Sequence, residues 1–180
     1  MSGSSLELLR AESKAAVPRS SVTPAAATQI ESVETDEEEE ECLAFGYLRG
    51  IRERALHLDL RFANGNCETF PYSWLGPVKY NPSAGLLLKF VGDLVYLVLI
   101  EGSNLNALVK GAVSLYDRGL QRHRITFVRE MTRQQRERAG EGEVAIERIR
   151  ILCHRPDEEP KGIAWLEPFG YGSQNRNGHR

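Results

Sequence analysis

Two apolar runs, GLLLKFV and LVYLVLIE, flank Gly92-Asp93 near the middle of the chain. A glycine-containing pair between strand-forming residues is a reversal signal, because a tight hairpin demands backbone angles that few residues adopt. A two-residue loop there places Leu86, Leu88 and Phe90 on one face with Val95, Leu97 and Leu99. The other face then carries Leu87, Lys89, Val91, Leu94, Tyr96 and Val98. Both faces are mainly apolar, so the hairpin is expected in mid-sheet, or covered by a helix on its second side.

A second reversal lies upstream. ALHLDLRFA alternates, with Leu56, Leu58, Leu60 and Phe62 on one face and His57, Asp59 and Arg61 on the other, and Asn64-Gly65 follows. A two-residue loop sets Phe62 opposite Cys67, Leu60 opposite Thr69, and Arg61 opposite Glu68 as an outward ion pair. A three-residue loop would set Leu58 opposite Phe70 but turn Glu68 inward, where an unpaired carboxylate is costly, so the first register is preferred.

Downstream, Leu105, Leu108, Val109, Ala112, Leu115 and Tyr116 recur at helical spacing. A helix there would cover the central hairpin, with Ser103 or Asn104 at its start, Gly119 past its end, and Gly111 marking close approach to the sheet. HRITFVRE reads as a strand. Thr132 and Gln135 have capping-box spacing at the head of a short solvated helix. EVAIERIRIL reads as a closing strand, although Ile146 and Ile149 break strict alternation. The expected fold class is α+β: a small, mostly antiparallel sheet or partly closed barrel built from two hairpins, one covering helix and two further strands.

Residues 1–45 hold ten acidic and three basic side chains, whereas 46–180 hold fifteen acidic and twenty basic. The first segment, ending in ESVETDEEEEEC, has too few large apolar residues to offset roughly 1–2 kcal/mol of ordering entropy per residue. It is read as a disordered acidic arm, 46–153 as the single folded domain, and 154–180 as a disordered tail with an aromatic segment. The longest apolar run is the seven residues Leu94 to Ile100, against the roughly 20 of a spanning helix, so no membrane segment is expected. The N-terminal stretch does not read as a secretory leader. Three scattered cysteines suit free thiols in a reducing compartment, and a cytoplasmic location is expected.

No motif for nucleophilic, metal-assisted or phosphate chemistry occurs, and the four histidines are scattered. The expectation is a chain that is not an enzyme and uses no cofactor or metal. Candidate partner-binding residues are Trp165, Leu166, Phe169 and Tyr171 in the tail, then Tyr72 and Trp74 in the proline-rich PYSWLGPVKYNP. Candidate nucleic-acid-binding residues are Arg118, Arg122, Arg124, Arg129, Arg133, Arg136 and Arg138, whose guanidinium forks suit phosphate oxygens. An interaction or adaptor module engaging another protein is the leading reading. A nucleic-acid-associated protein, modulated by the acidic arm, is the alternative.

Overall fold

A computed structural model describes residues 39–158 and 160–171 of the chain. In order, the elements are β1 (Glu39–Glu41), β2 (Phe45–Leu48), β3 (His57–Arg61), β4 (Cys67–Pro71), β5 (Leu75–Asn81), β6 (Gly85–Val91) and β7 (Val95–Ser103). There follow β8 (Leu108–Val109), β9 (Val113–Ser114), β10 (Ile125–Arg129), the helix α1 (Arg133–Arg138) and β11 (Ala145–His154). One five-stranded sheet has the order β1-β2-β10-β3-β4, one four-stranded sheet the order β11-β7-β6-β5, and β8-β9 form a separate ribbon. All pairs are antiparallel except β10 with β3.

The two larger sheets share a core. Phe45, Leu58, Leu60 and Val128 from the first meet Leu86, Leu88, Phe90, Val98 and Ile100 from the second. Phe70 stacks on Phe90 across the interface, with ring centroids 4.7 Å apart. Glu130 ties the sheets at one edge: its two carboxylate oxygens accept from Ala63 N (2.8 Å) and Ile149 N (2.6 Å). Neither sheet closes on itself among the described residues, so the expected partly closed barrel gives way to two open layers.

Both hairpins form where expected, and both are one residue out of the expected register. Val91 pairs with Val95, which makes the loop Gly92–Leu94, closed by Gly92 N donating to Leu94 O at 3.0 Å. One added loop residue exchanges the faces of the returning strand. Leu86, Leu88 and Phe90 therefore share a face with Tyr96, Val98 and Ile100. In the first hairpin Leu58 faces Phe70 and Leu60 faces Glu68, with Phe62 N bonded to Asn66 O around a longer loop. Glu68 nevertheless stays exposed, because β4 is the last strand of its sheet. Arg61 lies 3.8 Å from Asp59 rather than against Glu68.

The expected covering helix at 105–116 does not form. Asn104, Lys110 and Gly111 all have positive φ (56°, 49° and 70°), and three left-handed residues so close together are incompatible with a right-handed helix. A Cβ on Gly111 would meet nothing within 4 Å, so its freedom serves the backbone angle and not the close approach expected. The outer face of the central hairpin is covered instead by a 3₁₀ turn, Ala164–Phe169.

The remaining elements follow the sequence closely. Thr132 and Gln135 make both bonds of the capping box, side chain to Gln135 N and Gln135 side chain to Thr132 N. β11 carries a bulge between Ile146 and Arg148, which brings both Ile146 and Ile149 to the core despite their odd spacing. Described structure runs past both expected domain boundaries, with β1 inside 1–45 and the 3₁₀ turn inside 154–180. The rest of the expected arm and tail, 1–38, 159 and 172–180, lies outside the described residues.

Candidate interaction surface

The tail aromatics are seated on their own domain. Leu166 and Phe169 are buried against Leu87, Val95, Leu97 and Leu99, with Trp165 and Tyr171 half-buried beside them. Lys79 Nζ donates to Phe169 O at 2.8 Å and sits 4.8 Å from the centre of the Tyr171 ring. Burial raises the Tyr171 phenol above its ordinary pKa.

Tyr72 and Trp74 part company. Tyr72 is buried, stacks on His123 with centroids 4.6 Å apart, and donates from its hydroxyl to Ile125 O at 2.8 Å. Burial drives its pKa up. Two residues on, Trp74 keeps 41% of its surface exposed and lies over Gly92, where a Cβ would stand 3.1 Å from the indole. Of this candidate pair, Tyr72 therefore belongs to the core and only Trp74 is accessible at the surface.

The seven arginines do not share a face. Arg124 is only 5% exposed: its Nε and Nη2 donate to Leu48 O (3.0 and 2.6 Å), and Nη2 also to Arg49 O (2.8 Å). Arg129 lies over the Phe127 ring at 4.8 Å and 4.0 Å from Glu41. Arg133 pairs with Glu137 at 2.8 Å, and Arg118 donates to Ala112 O at 3.4 Å. Arg122 and Arg138 are exposed and Arg136 half-buried. Arg124 immediately precedes β10 and Arg129 ends it, so about 16 Å of extended chain lies between Arg118, Arg122 and Arg124 and the other four. β10 is also an inner strand, between β2 and β3.

Strand directions assemble a surface that the sequence reading missed. β2 ends beside the start of β10, β3 starts there, and His57 faces Pro71 at the end of β4. The 3₁₀ turn Tyr72–Trp74 passes straight into β5, where Leu75 faces Phe90, one residue before the end of β6. The segments 49–56, 72–74, 91–94 and 119–124 therefore meet at one end of the two layers.

Six large apolar side chains are prominently exposed among the described residues, and four lie at this end. They are Ile51 (75%), Leu56 (77%), Trp74 (41%) and Val91 (47%). Leu56 was expected on the core face of its strand; it stands just before β3 and points to solvent. Arg49, Arg52, Arg54 and Arg122 are exposed around them. Ala55 N donates to His123 O at 2.7 Å, which holds the loop 49–56 against 119–124. Burial and then the nearby Arg54 charge lower the His123 pKa. Of the acidic groups here, Glu53 folds back to accept from Gly50 N at 3.0 Å, and Asp93 is exposed at the β6–β7 turn. The signal available in the sequence was RGIRERAL, in which Ile51 and Leu56 stand among three arginines with no strand or helix period.

At the opposite end, Leu43, Leu108, Lys110 and Glu143 help to line a cavity of about 310 Å³ that also reaches Cys42. Burial pushes the Cys42 thiol up in pKa, which favours the protonated and unreactive form. Among the described residues no three His, Cys, Asp or Glu side chains gather as metal ligands would. No described helix is long and apolar enough to cross a membrane. Comparison with known family models, with curated proteins and with solved structures finds no match to this chain.

Proposed function

We propose that the chain is a non-catalytic interaction module that engages another protein through the end of the two layers carrying Ile51, Leu56, Trp74 and Val91. The observation that carries this reading is the concentration of exposed apolar side chains there, one of them a tryptophan, beside four exposed arginines. Exposed aliphatic side chains gathered at one place mark contact surfaces, and tryptophan and arginine dominate the residues that hold partners. The tail aromatics, the first candidates by sequence, have their apolar surface engaged in cis and are not part of this surface.

The test is affinity capture with the full chain, quantified by mass spectrometry across variants. A true partner is retained by the native chain and by the opposite-end control Leu108→Ser, and is lost from Trp74→Ala and from Ile51→Ser with Leu56→Ser. If no captured protein follows that pattern, the reading fails.

Arg49, Arg52, Arg54 and Arg122 favour a second reading, association with nucleic acid at the same end. It predicts oligonucleotide retention that falls steeply with salt and is lost on Arg52→Ala with Arg54→Ala and Arg122→Ala. Retention of that kind would be insensitive to Ile51→Ser with Leu56→Ser.

A further inference from the structure

The outer face of the β6–β7 hairpin is a row of aliphatic side chains, Leu87, Val95, Leu97 and Leu99. It forms its own buried cluster with Leu166 and Phe169, and none of these six residues belongs to the core between the sheets. The 3₁₀ turn is thus additional to the two-layer structure: it covers one sheet from outside and ties nothing across the layers. Its grip is that of a bound peptide. Two apolar side chains three positions apart enter the face, and Lys79 Nζ captures the Phe169 carbonyl at 2.8 Å. Asn81 Nδ2 reaches the Pro168 carbonyl at 3.5 Å, and Gly170, at φ 84°, closes the turn so that Tyr171 packs beside it. The stretch before it, RPDEEPKG, is polar and serves as a tether.

We infer that this face is a peptide-docking site, held in cis by residues 163–171 as a tethered ligand. Its outside occupant is an extended or 3₁₀ segment of a partner protein with a Leu-x-x-Phe pair flanked by aromatic residues, entering in place of the tail. Side-chain spacing and a backbone carbonyl for Lys79 provide recognition. A short tether gives the cis segment an effective concentration of about millimolar, so an outside segment competes only when it binds better or when the cis segment is weakened. This site is separate from the surface carrying Ile51 and Trp74 and does not rest on the function proposed for it.

The experiment uses full-length chain and a labelled peptide of sequence KGIAWLEPFGY, followed by fluorescence anisotropy. The L166A/F169A variant frees the face while leaving the inter-sheet core intact. It should bind the peptide at least about ten-fold more tightly than the native chain, and adding Lys79→Ala should weaken that binding. Equal affinity for native chain and variant, or no binding to a variant that still unfolds cooperatively, overturns the inference. Should that variant not fold, Lys79→Ala alone decides by amide exchange. Exchange in 163–171 should then rise at least about ten-fold with β6 and β7 unchanged. A rise shared equally by β6 and β7, or none in 163–171, contradicts a separable ligand. Substitutions at Ile51, Leu56 or Trp74 leave this face untouched, so failure here and failure of the proposed function are distinguishable.

Discussion

Arg124 holds the carbonyls of Leu48 and Arg49 with one guanidinium, so its charge is engaged inside the fold and is not offered to a phosphate. Removing it strands two acceptors in a buried site. Arg124→Ala is expected to cost about 2–4 kcal/mol in denaturant unfolding, and Arg124→Lys to recover only part, since one ammonium cannot reproduce the fork. Arg133, exposed and paired with Glu137 one helical turn away, is the contrast; its loss should cost no more than a few tenths of a kcal/mol.

His123 adds a pH dependence whose sign follows from its surroundings. Burial and Arg54 hold its folded pKa below the ordinary 6.5, so the unfolded chain takes up a proton first as pH falls. The stability from the neutral ring stacked on Tyr72 is complete above about pH 6.5 and is lost as pH falls through the folded pKa. Asn tolerates the left-handed backbone at this position (φ 54°), so His123→Asn is the suitable comparison. The native chain should exceed that variant in stability at about pH 7.5, and the margin should shrink by about pH 5. A margin independent of pH would show that the ring does not titrate differently on folding.

At the scale of elements, turn positions were legible and registers were not. Gly92-Asp93 and Asn64-Gly65 both mark reversals, but each loop takes one residue more than the shortest hairpin, and nothing local in the sequence specifies that extra residue. The argument that Glu68 must avoid the core chose the wrong register because it assumed neighbours on both sides of β4. Of the six residues whose helical spacing suggested a helix at 105–116, only Leu105 and Leu115 are buried, along a path broken by left-handed residues. In β11 the broken alternation was itself the signal of the bulge. Gly102 lies opposite that bulge, and a Cβ there would stand 2.0 Å from the Ala145 carbonyl oxygen. Backbone cannot yield as a side-chain tip does, so Gly102→Ala should destabilise by about 2–3 kcal/mol in chemical denaturation. A cost under half a kcal/mol would mean that β7 and β11 are less closely joined than described.

For the whole molecule, the proposed contact surface is assembled from segments far apart in the chain. Ile51 and Leu56 precede β3, Trp74 links the two sheets, and Val91 ends β6. Only strand order and direction bring them together, and neither is readable from periodicity. The sequence did show the opposing charge of the first 45 residues and the remainder. Part of that opposition is local in the fold: Glu41 approaches Arg129, and the Glu39 carboxylate accepts from the Thr126 hydroxyl. The arginines left exposed at the Ile51 end come largely from 49–54, outside the stretch that sequence density had singled out.

Site-specific photo-crosslinking in the full chain addresses the central claim most directly. A benzophenone side chain is placed in turn at Ile51, Leu56, Trp74 and Leu108, and the products are identified by mass spectrometry. One and the same protein should be captured from Ile51, Leu56 and Trp74 and not from Leu108. Capture from Leu108 alone, or of unrelated species at the first three positions, would contradict a single contact surface at that end.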